Sequence, residues 1–283
     1  MEKEFDDLSS IAKGIRKDIL CMIHNAKSGH PGGSLSCVEI LVSLYFEVMN
    51  LNSDCNGNRV DKFILSKGHA APAYYAVLSK KGFIAREDLN TLRKYNSKLE
   101  GHPTNKLNGV DVSSGSLGQG LSIANGMALA KKISNESGYV YCLLGDGEMQ
   151  EGQIWEALMS ANKFKLSNLI VFVDRNKLQI DGKVEDVMPL ESLKSKLEAF
   201  NLNVLEINGH SFKEIINAVN LAKTQDKATI IIANTIKGKG ITFMENNVSW
   251  HGKAPSDEEY DIILNELKEE NIWNLLEKPM VNF

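Results

Sequence analysis

Tyr139-Val140-Tyr141-Cys142-Leu143-Leu144-Gly145-Asp146-Gly147-Glu148-Met149-Gln150-Glu151-Gly152 is the stretch whose reading decides the fold. It opens on an unbroken apolar run, the pattern of a strand covered on both faces rather than one. Two glycines around a carboxylate then break the run, and apolar positions over about 151–165 recur at helical spacing. A buried strand that turns sharply into a helix is the start of a βαβ unit. In open parallel sheets, ligands collect beyond the carboxyl ends of the strands. Glycine lets the backbone approach a phosphate closely, and a helix directly after the turn offers free N–H groups and the positive end of its dipole. A lone carboxylate there would repel a diphosphate. Asp146 therefore makes sense only if it holds a cation that the phosphates share.

Similar apolar runs at 62–66, 169–173 and 228–233 predict three more strands, and 204–207 a fifth. Helical periodicity predicts helices over about 8–26, 36–49, 119–135, 190–199 and 212–223. The segment Ser28-Gly29-His30-Pro31-Gly32-Gly33 reads as a turn that no helix traverses. Ser256 and Glu259 form a capping-box pair that opens a last helix to about residue 270. Strands alternating with helices predict an α/β fold with a doubly wound, mostly parallel sheet sandwiched by helices. The expected organisation is one domain over 1–255 with a helix and tail over 256–283.

The second half of the motif follows the next strand, in Asp174-Arg175-Asn176-Lys177-Leu178. Asn176 lies thirty positions after Asp146, about one βαβ unit. A right-handed crossover would set the two strand ends side by side. Carboxylate, amide and carbonyl oxygens are hard ligands suited to magnesium, with phosphate oxygens and water completing the shell. A single Gly-Asp-Gly is most often only a turn. Its pairing with Asn176 at the next strand end is what raises it to a site. A nicotinamide site is the rival phosphate reader, but no GxGxxG opens an early βα unit, and Gly115-Ser116-Leu117-Gly118-Gln119-Gly120 has the wrong glycine spacing.

A net charge of −4 over 283 residues gives no broad basic field, which argues against nucleic acid, and Lys237-Gly238-Lys239 is too short a basic run to change this. Cys21, Cys37, Cys55 and Cys142 are far apart and form no CxxC pair, as expected of a reducing compartment. No apolar run reaches the ~18 residues of a membrane span, and the first twenty residues lack a signal-like core, so a cytoplasmic protein is expected.

Gly-Asp-Gly followed by Asn about thirty residues later resembles the thiamine-diphosphate motif. Ser28-Gly29-His30-Pro31-Gly32, Ser66-Lys67-Gly68-His69, Gly101-His102-Pro103, Gly115–Gly120 and Trp250-His251-Gly252 then follow in the order seen in transketolases. Each of these four histidines sits beside Gly or Pro, whereas His24 lies on a predicted helix and His210 in an Asn-Gly-His-Ser turn without a trusted counterpart. The resemblance covers 1–255 and implies the amino-terminal, diphosphate-binding half of a transketolase. It implies Asp146, Asn176 and the Leu178 carbonyl as ligands of Mg2+, with Ca2+ or Mn2+ as substitutes. Gly147 and His69 would contact the diphosphate, and backbone groups of Gly115 and Leu117 the aminopyrimidine. Glu151 would sit near the diphosphate and metal or between cofactor sites. His30, His102 and His251 would face the sugar, His251 also touching the diphosphate. The implied reaction passes a two-carbon ketol unit from a ketose, phosphorylated in the expected case, to an aldose, as in the pentose phosphate pathway. A deoxyxylulose-phosphate synthase-like or sulfosugar-directed enzyme is the alternative. The activating glutamate would come from a pyrimidine-binding domain, for which too little chain remains after residue 255. The expectation is therefore an α2β2 heterotetramer with a separate partner subunit. Two departures stand out: Arg175 precedes Asn176 where an acidic or amide residue is common, and Ser116 replaces a frequent proline.

Overall fold

The structure, a computed structural model, describes residues 5–267 apart from 55, 56, 58 and 181. Five strands, β1 (Lys62–Leu65), β2 (Val140–Gly145), β3 (Leu169–Arg175), β4 (Asn203–Asn208) and β5 (Thr229–Asn234), form one sheet in the order β1-β2-β3-β5-β4. Every pairing is parallel. The helices are α1 (Asp6–Ala26), α2 (Pro31–Leu35), α3 (Val38–Ser43), α4 (Ala71–Lys80), α5 (Gln119–Ile133), α6 (Gly152–Lys163), α7 (Val184–Val187), α8 (Leu193–Ala199), α9 (Phe212–Ala222) and α10 (Asp257–Glu266).

Alternation along the strands sorts the core into two layers. Tyr141, Leu143, Ile170, Phe172 and Ile231 pack with α1, α3, α4 and α9 on one face. Cys142, Leu144, Val171, Val173, Ile230 and Ile232 pack with α5, α6 and α8 on the other. Crossovers that advance from β1 toward the β4 edge thus use one face, and the return from β4 to β5 through α9 uses the opposite one. Crossovers of a single hand require that exchange. It makes the sheet doubly wound, with the reversal between β3 and β5, beside the β2–β3 pair that carries the Gly-Asp-Gly motif.

Two expectations about the elements need correction. The Ser28–Gly33 segment is not only a turn, because α2 begins at Pro31. Proline suits the first helical position, where its missing N–H costs nothing. The expected single helix over 36–49 is α3 followed by a π-type turn at Leu44–Val48. The helix expected over about 151–165 is present as α6, and a 3-10 turn at Gly147–Gln150 joins it to Gly-Asp-Gly. One further element, α4, had no predicted counterpart. Its Ala71-Pro72-Ala73-Tyr74-Tyr75-Ala76-Val77-Leu78 is buried throughout, so it shows no amphipathic period.

The Ser256 capping box is present, and α10 packs on α1 through buried Ile263 and a His24–Tyr260 ring stack with centroids 4.1 Å apart. The expected extension of this helix to about 270 and the tail to 283 lie outside the described residues. Phe172 is fully buried at the centre of the sheet. Phe172→Ala should destabilise the fold by about 3–5 kcal/mol in urea-induced unfolding, through lost burial and an incompletely refilled cavity.

Candidate active site

The register pairs Gly145 with Asp174 across β2 and β3, so Asp146 and Asn176 emerge at adjacent strand ends. Asp146 is buried, and its carboxylate accepts the N–H of Gly147 at 2.8 Å and the N–H of Lys177 on the next loop. Burial, with the nearby charge of Asp174, pushes its carboxyl up to about 6 despite those two donors. Asp174 is different. Its fully buried carboxylate takes Lys67 Nζ, Ser36 Oγ and Thr235 Oγ1 as donors. Burial alone would raise it, but Lys67 and the hydroxyls outweigh that and hold it below the usual carboxylate range. The Lys67 ammonium, also bonded to Gly33 O at 2.8 Å, is thereby consumed by Asp174. Among the described residues Asp146 is left with backbone donors and no direct ion-pair partner.

The other expected metal ligands lie on the same loop. Asn176 is buried, and its Oδ1 accepts the Leu178 N–H at 3.2 Å. The Leu178 carbonyl accepts Lys237 Nζ at 3.1 Å, so a cationic group already seeks this oxygen. Lys237 also reaches His251 Nδ1 at 2.9 Å. An ammonium can only donate, which places the His251 proton on Nε2. Burial and the charge of Lys67 push Lys237 down to about 8, against the pull of Asp146 and Asp174. Among the described residues no cluster of three or more His, Cys, Asp or Glu suits a metal. A cation at Asp146 thus has one carboxylate, an amide and a carbonyl oxygen, and phosphate oxygens would have to complete its shell. That donor set fits a hard divalent ion arriving with a diphosphate.

His30, His69 and His251 converge, with ring centroids 5.4 to 5.5 Å apart in each pairing. Their positions depend on small neighbours: a Cβ on Gly33 would lie 3.0 Å from His69 Nε2, and one on Gly32 2.9 Å from the Trp250 carbonyl. Burial, then surrounding cations, pushes His30 and His251 down to about 4 and His69 well below its usual value. At neutral pH the three are uncharged imidazoles, able to donate and accept. Nδ1 of His30 is buried without a partner, a polar position left for a ligand.

His102 stands outside this trio. Its ring packs on Gly115, where a Cβ would come within 3.2 Å, and it lines a cleft of about 360 Å3 with Arg93, Lys94, Ser97, Glu100 and Gly101. Leu117 is exposed on the turn before α5, and Glu151 is exposed before α6 with its Cβ against Gly118.

Sequence reasoning missed four groups at this strand edge. Lys67 and Asp174 sit inside the quoted motifs, yet nothing local marks them as a buried pair. Lys237 belongs to a basic run too short to signal a site. Glu148 is buried and ties the turns together, accepting Ser66 Oγ and the N–H groups of Gly118 and Gly145. Arg175 raises no charge problem. It pairs with Glu191 and with Asn234 Oδ1 at 2.6 Å.

A parallel α/β sheet that gathers a buried carboxylate, an amide and two lysines at its carboxyl edge has the place and donors that a diphosphate-bearing cofactor needs. Residues 8–276 match the family described as transketolase, thiamine diphosphate binding domain. One subunit of the apulose-4-phosphate transketolase of Phocaeicola vulgatus is 43% identical over 256 residues, 90% of this chain and 91% of that one. Subunit SqwG of the 6-deoxy-6-sulfo-D-fructose transketolase of Clostridium sp. is 42% identical over 273 residues, 95% of this chain and 99% of that one. Transketolase of Homo sapiens is 42% identical over 254 residues, 89% of this chain but 40% of that one. The crystal structure of Campylobacter jejuni transketolase superposes with a TM-score of 0.85 at 34% identity, covering 92% of this chain and 42% of that one. The chain belongs to the transketolase family and is its thiamine-diphosphate-binding domain. These matches fit the transketolase reading and not the deoxyxylulose-phosphate synthase-like one.

The depressed histidines have a stability consequence. Between pH 4 and 6.5 the unfolded chain binds protons at His30 and His251 that the folded chain refuses, so the stability these two residues contribute falls as pH drops through that window, partly offset by the raised Asp146. Urea unfolding at pH 7 and pH 5 should show this loss, and a His30→Gln/His251→Gln variant should show a smaller one.

Proposed function

We propose that this chain is the cofactor-holding subunit of a two-chain transketolase. It would transfer a two-carbon ketol unit from a ketose to an aldose with thiamine diphosphate and Mg2+. The observation that carries the two-chain reading is coverage. The chain aligns with 91% and 99% of two relatives named as transketolase subunits, but with 40% of the human enzyme. The partner supplies the pyrimidine-binding domain and its activating glutamate, in an α2β2 assembly in the cytoplasm. The two relatives' names specify sugars with a phosphate and with a sulfo group. We read the donor here as a ketose with a terminal anionic group, phosphate first.

Asp146, Asn176 and the Leu178 carbonyl hold the metal in this reading, and Gly147, His69 and Lys237 meet the diphosphate. Gly115 and Leu117 present backbone groups to the aminopyrimidine. The exposure of Glu151 supports a place at the contact between cofactor sites. When bound, thiamine diphosphate supplies the nucleophilic carbon and electron sink for carbon–carbon cleavage. The protein's own part is to position the sugar and move protons. His30, His102 and His251, kept neutral by burial, exchange protons with sugar hydroxyl and carbonyl oxygens at pH 7 without first losing one to solvent.

The purified chain alone should show no ketol transfer with saturating cofactor and magnesium, and activity should appear on adding the partner subunit. Robust turnover by the chain alone would sink the two-chain reading. In calorimetry, Asp146→Ala should weaken magnesium-dependent cofactor binding at least ~100-fold, and Asn176→Ala about tenfold because water can replace a neutral oxygen. In the reconstituted enzyme, His30→Ala or His102→Ala should lower kcat/KM by about 10²-fold with cofactor affinity nearly intact, whereas His69→Ala should weaken cofactor binding. Magnesium must also displace a proton from Asp146. Its apparent affinity should be flat above pH 6 and fall progressively below it.

A further inference from the structure

His210 is the loop histidine that belongs to none of the motifs, and the cofactor site does not use it directly. The structure gives it a defined task. His210 Nε2 accepts the backbone N–H of Ile236 at 2.8 Å, so its proton must sit on Nδ1. Nδ1 then donates to Glu39 Oε2 at 2.9 Å. The second oxygen of Glu39 pairs with Arg16 Nη2 at 2.6 Å, and Arg16 Nε donates to the Lys239 carbonyl at 2.9 Å. Arg16 and Glu39 are buried, and they belong to α1 and α3 on one face of the sheet.

The two ends of this relay grip the same short turn. His210 holds it at the amide of Ile236 and Arg16 at the carbonyl of Lys239, three residues later. Between them lies Lys237, whose ammonium reaches the Leu178 carbonyl and His251. The turn can bend this tightly because Gly238 and Gly240 take φ of 79° and 93°, and a Cβ on Gly240 would lie 2.8 Å from Arg16 Nε. The Gly238 N–H to Gly32 O bond at 3.0 Å seats the turn against the segment that follows His30, and the Asn246 N–H to Lys237 O bond at 2.9 Å ties it to the chain that follows. A lysine side chain has four rotatable bonds. It can keep its ammonium at a buried site only if the backbone beneath it is fixed.

We infer that the Arg16–Glu39–His210 relay is a positioning device for Lys237, fixing the 236–240 turn so that the ammonium is held at the diphosphate and metal site. His210 is a positioning residue, with no contact to the reacting groups. This inference rests on the cofactor reading of the site, and its test separates the two. Asn reaches about as far as Nδ1 and can keep the bond to Glu39, whereas Gln reaches about as far as Nε2 and can accept the Ile236 N–H.

The test is calorimetry of thiamine diphosphate with excess magnesium on the full chain, together with hydrogen exchange of the 236–240 backbone. His210→Asn should raise the Kd about tenfold, in the range seen when a residue supporting a ligand group is lost, and should speed exchange in the turn while Tm changes little. His210→Gln, which keeps the bond to Ile236 but gives up the one to Glu39, should lose less than His210→Asn and more than nothing, about threefold. In a Lys237→Met background, His210→Asn should cause no further loss, because the group it positions is gone. An equal loss in that background, or wild-type affinity for His210→Asn, would overturn the inference. If His210→Asn does not fold, Glu39→Gln serves in its place with the same expectations. If the wild-type chain binds no cofactor, the cofactor reading itself falls. In that case hydrogen exchange judges the relay alone, and an unchanged 236–240 turn in His210→Asn rejects it.

Discussion

The buried pair between Lys67 and Asp174 is the contact on which the rest of this site depends. Lys67 follows β1, Asp174 lies in β3, and the two further donors to Asp174 come from Ser36, beside α2, and Thr235, just past β5. One carboxylate therefore ties the carboxyl ends of three strands to the first loop. Removing two charges from water costs several kcal/mol per ion, offset here by close contact and satisfied hydrogen bonds. Loss of either partner alone would strand the other, at a cost of about 3–5 kcal/mol.

That pairing sets the electrostatics around it. With Lys67 paired to Asp174, Asp146 has no ion-pair partner of its own among the described residues, and burial drives its carboxyl up to about 6 against the weaker pull of Lys67. In the proposed reading a divalent cation would resolve the imbalance by taking the carboxylate and the neighbouring neutral oxygens. Lys237 and the three uncharged imidazoles then line the side from which a diphosphate and a sugar would come. Permanently charged histidines would add repulsion against Lys67 and Lys237, and the same burial that keeps them neutral preserves their capacity to take a proton.

The repeating parts of the architecture are legible in sequence because their causes are local. Unbroken apolar runs mark strands buried on both faces, and their alternation with amphipathic helices fixes the layered arrangement. Asp146, Gly147 and Asn176 are legible because a strand end, a glycine turn and a crossover spacing coincide. α4 is not, since a helix buried on all sides carries no period. The pairing of Lys67 with Asp174 spans 107 residues and the grip of His210 on Glu39 spans 171, and no spacing rule encodes either. Lys237 escapes notice for the same reason. A short basic run reads as surface until the fold buries it.

The central claim is that the β2 and β3 strand ends bind a diphosphate through a shared cation. The most direct test compares thiamine diphosphate with thiamine by calorimetry on the wild-type chain, each with magnesium and with a chelator. The account predicts binding of thiamine diphosphate only when magnesium is present, and no measurable binding of thiamine under either condition. Equal binding of thiamine and thiamine diphosphate, or thiamine-diphosphate binding that the chelator leaves unchanged, would contradict it.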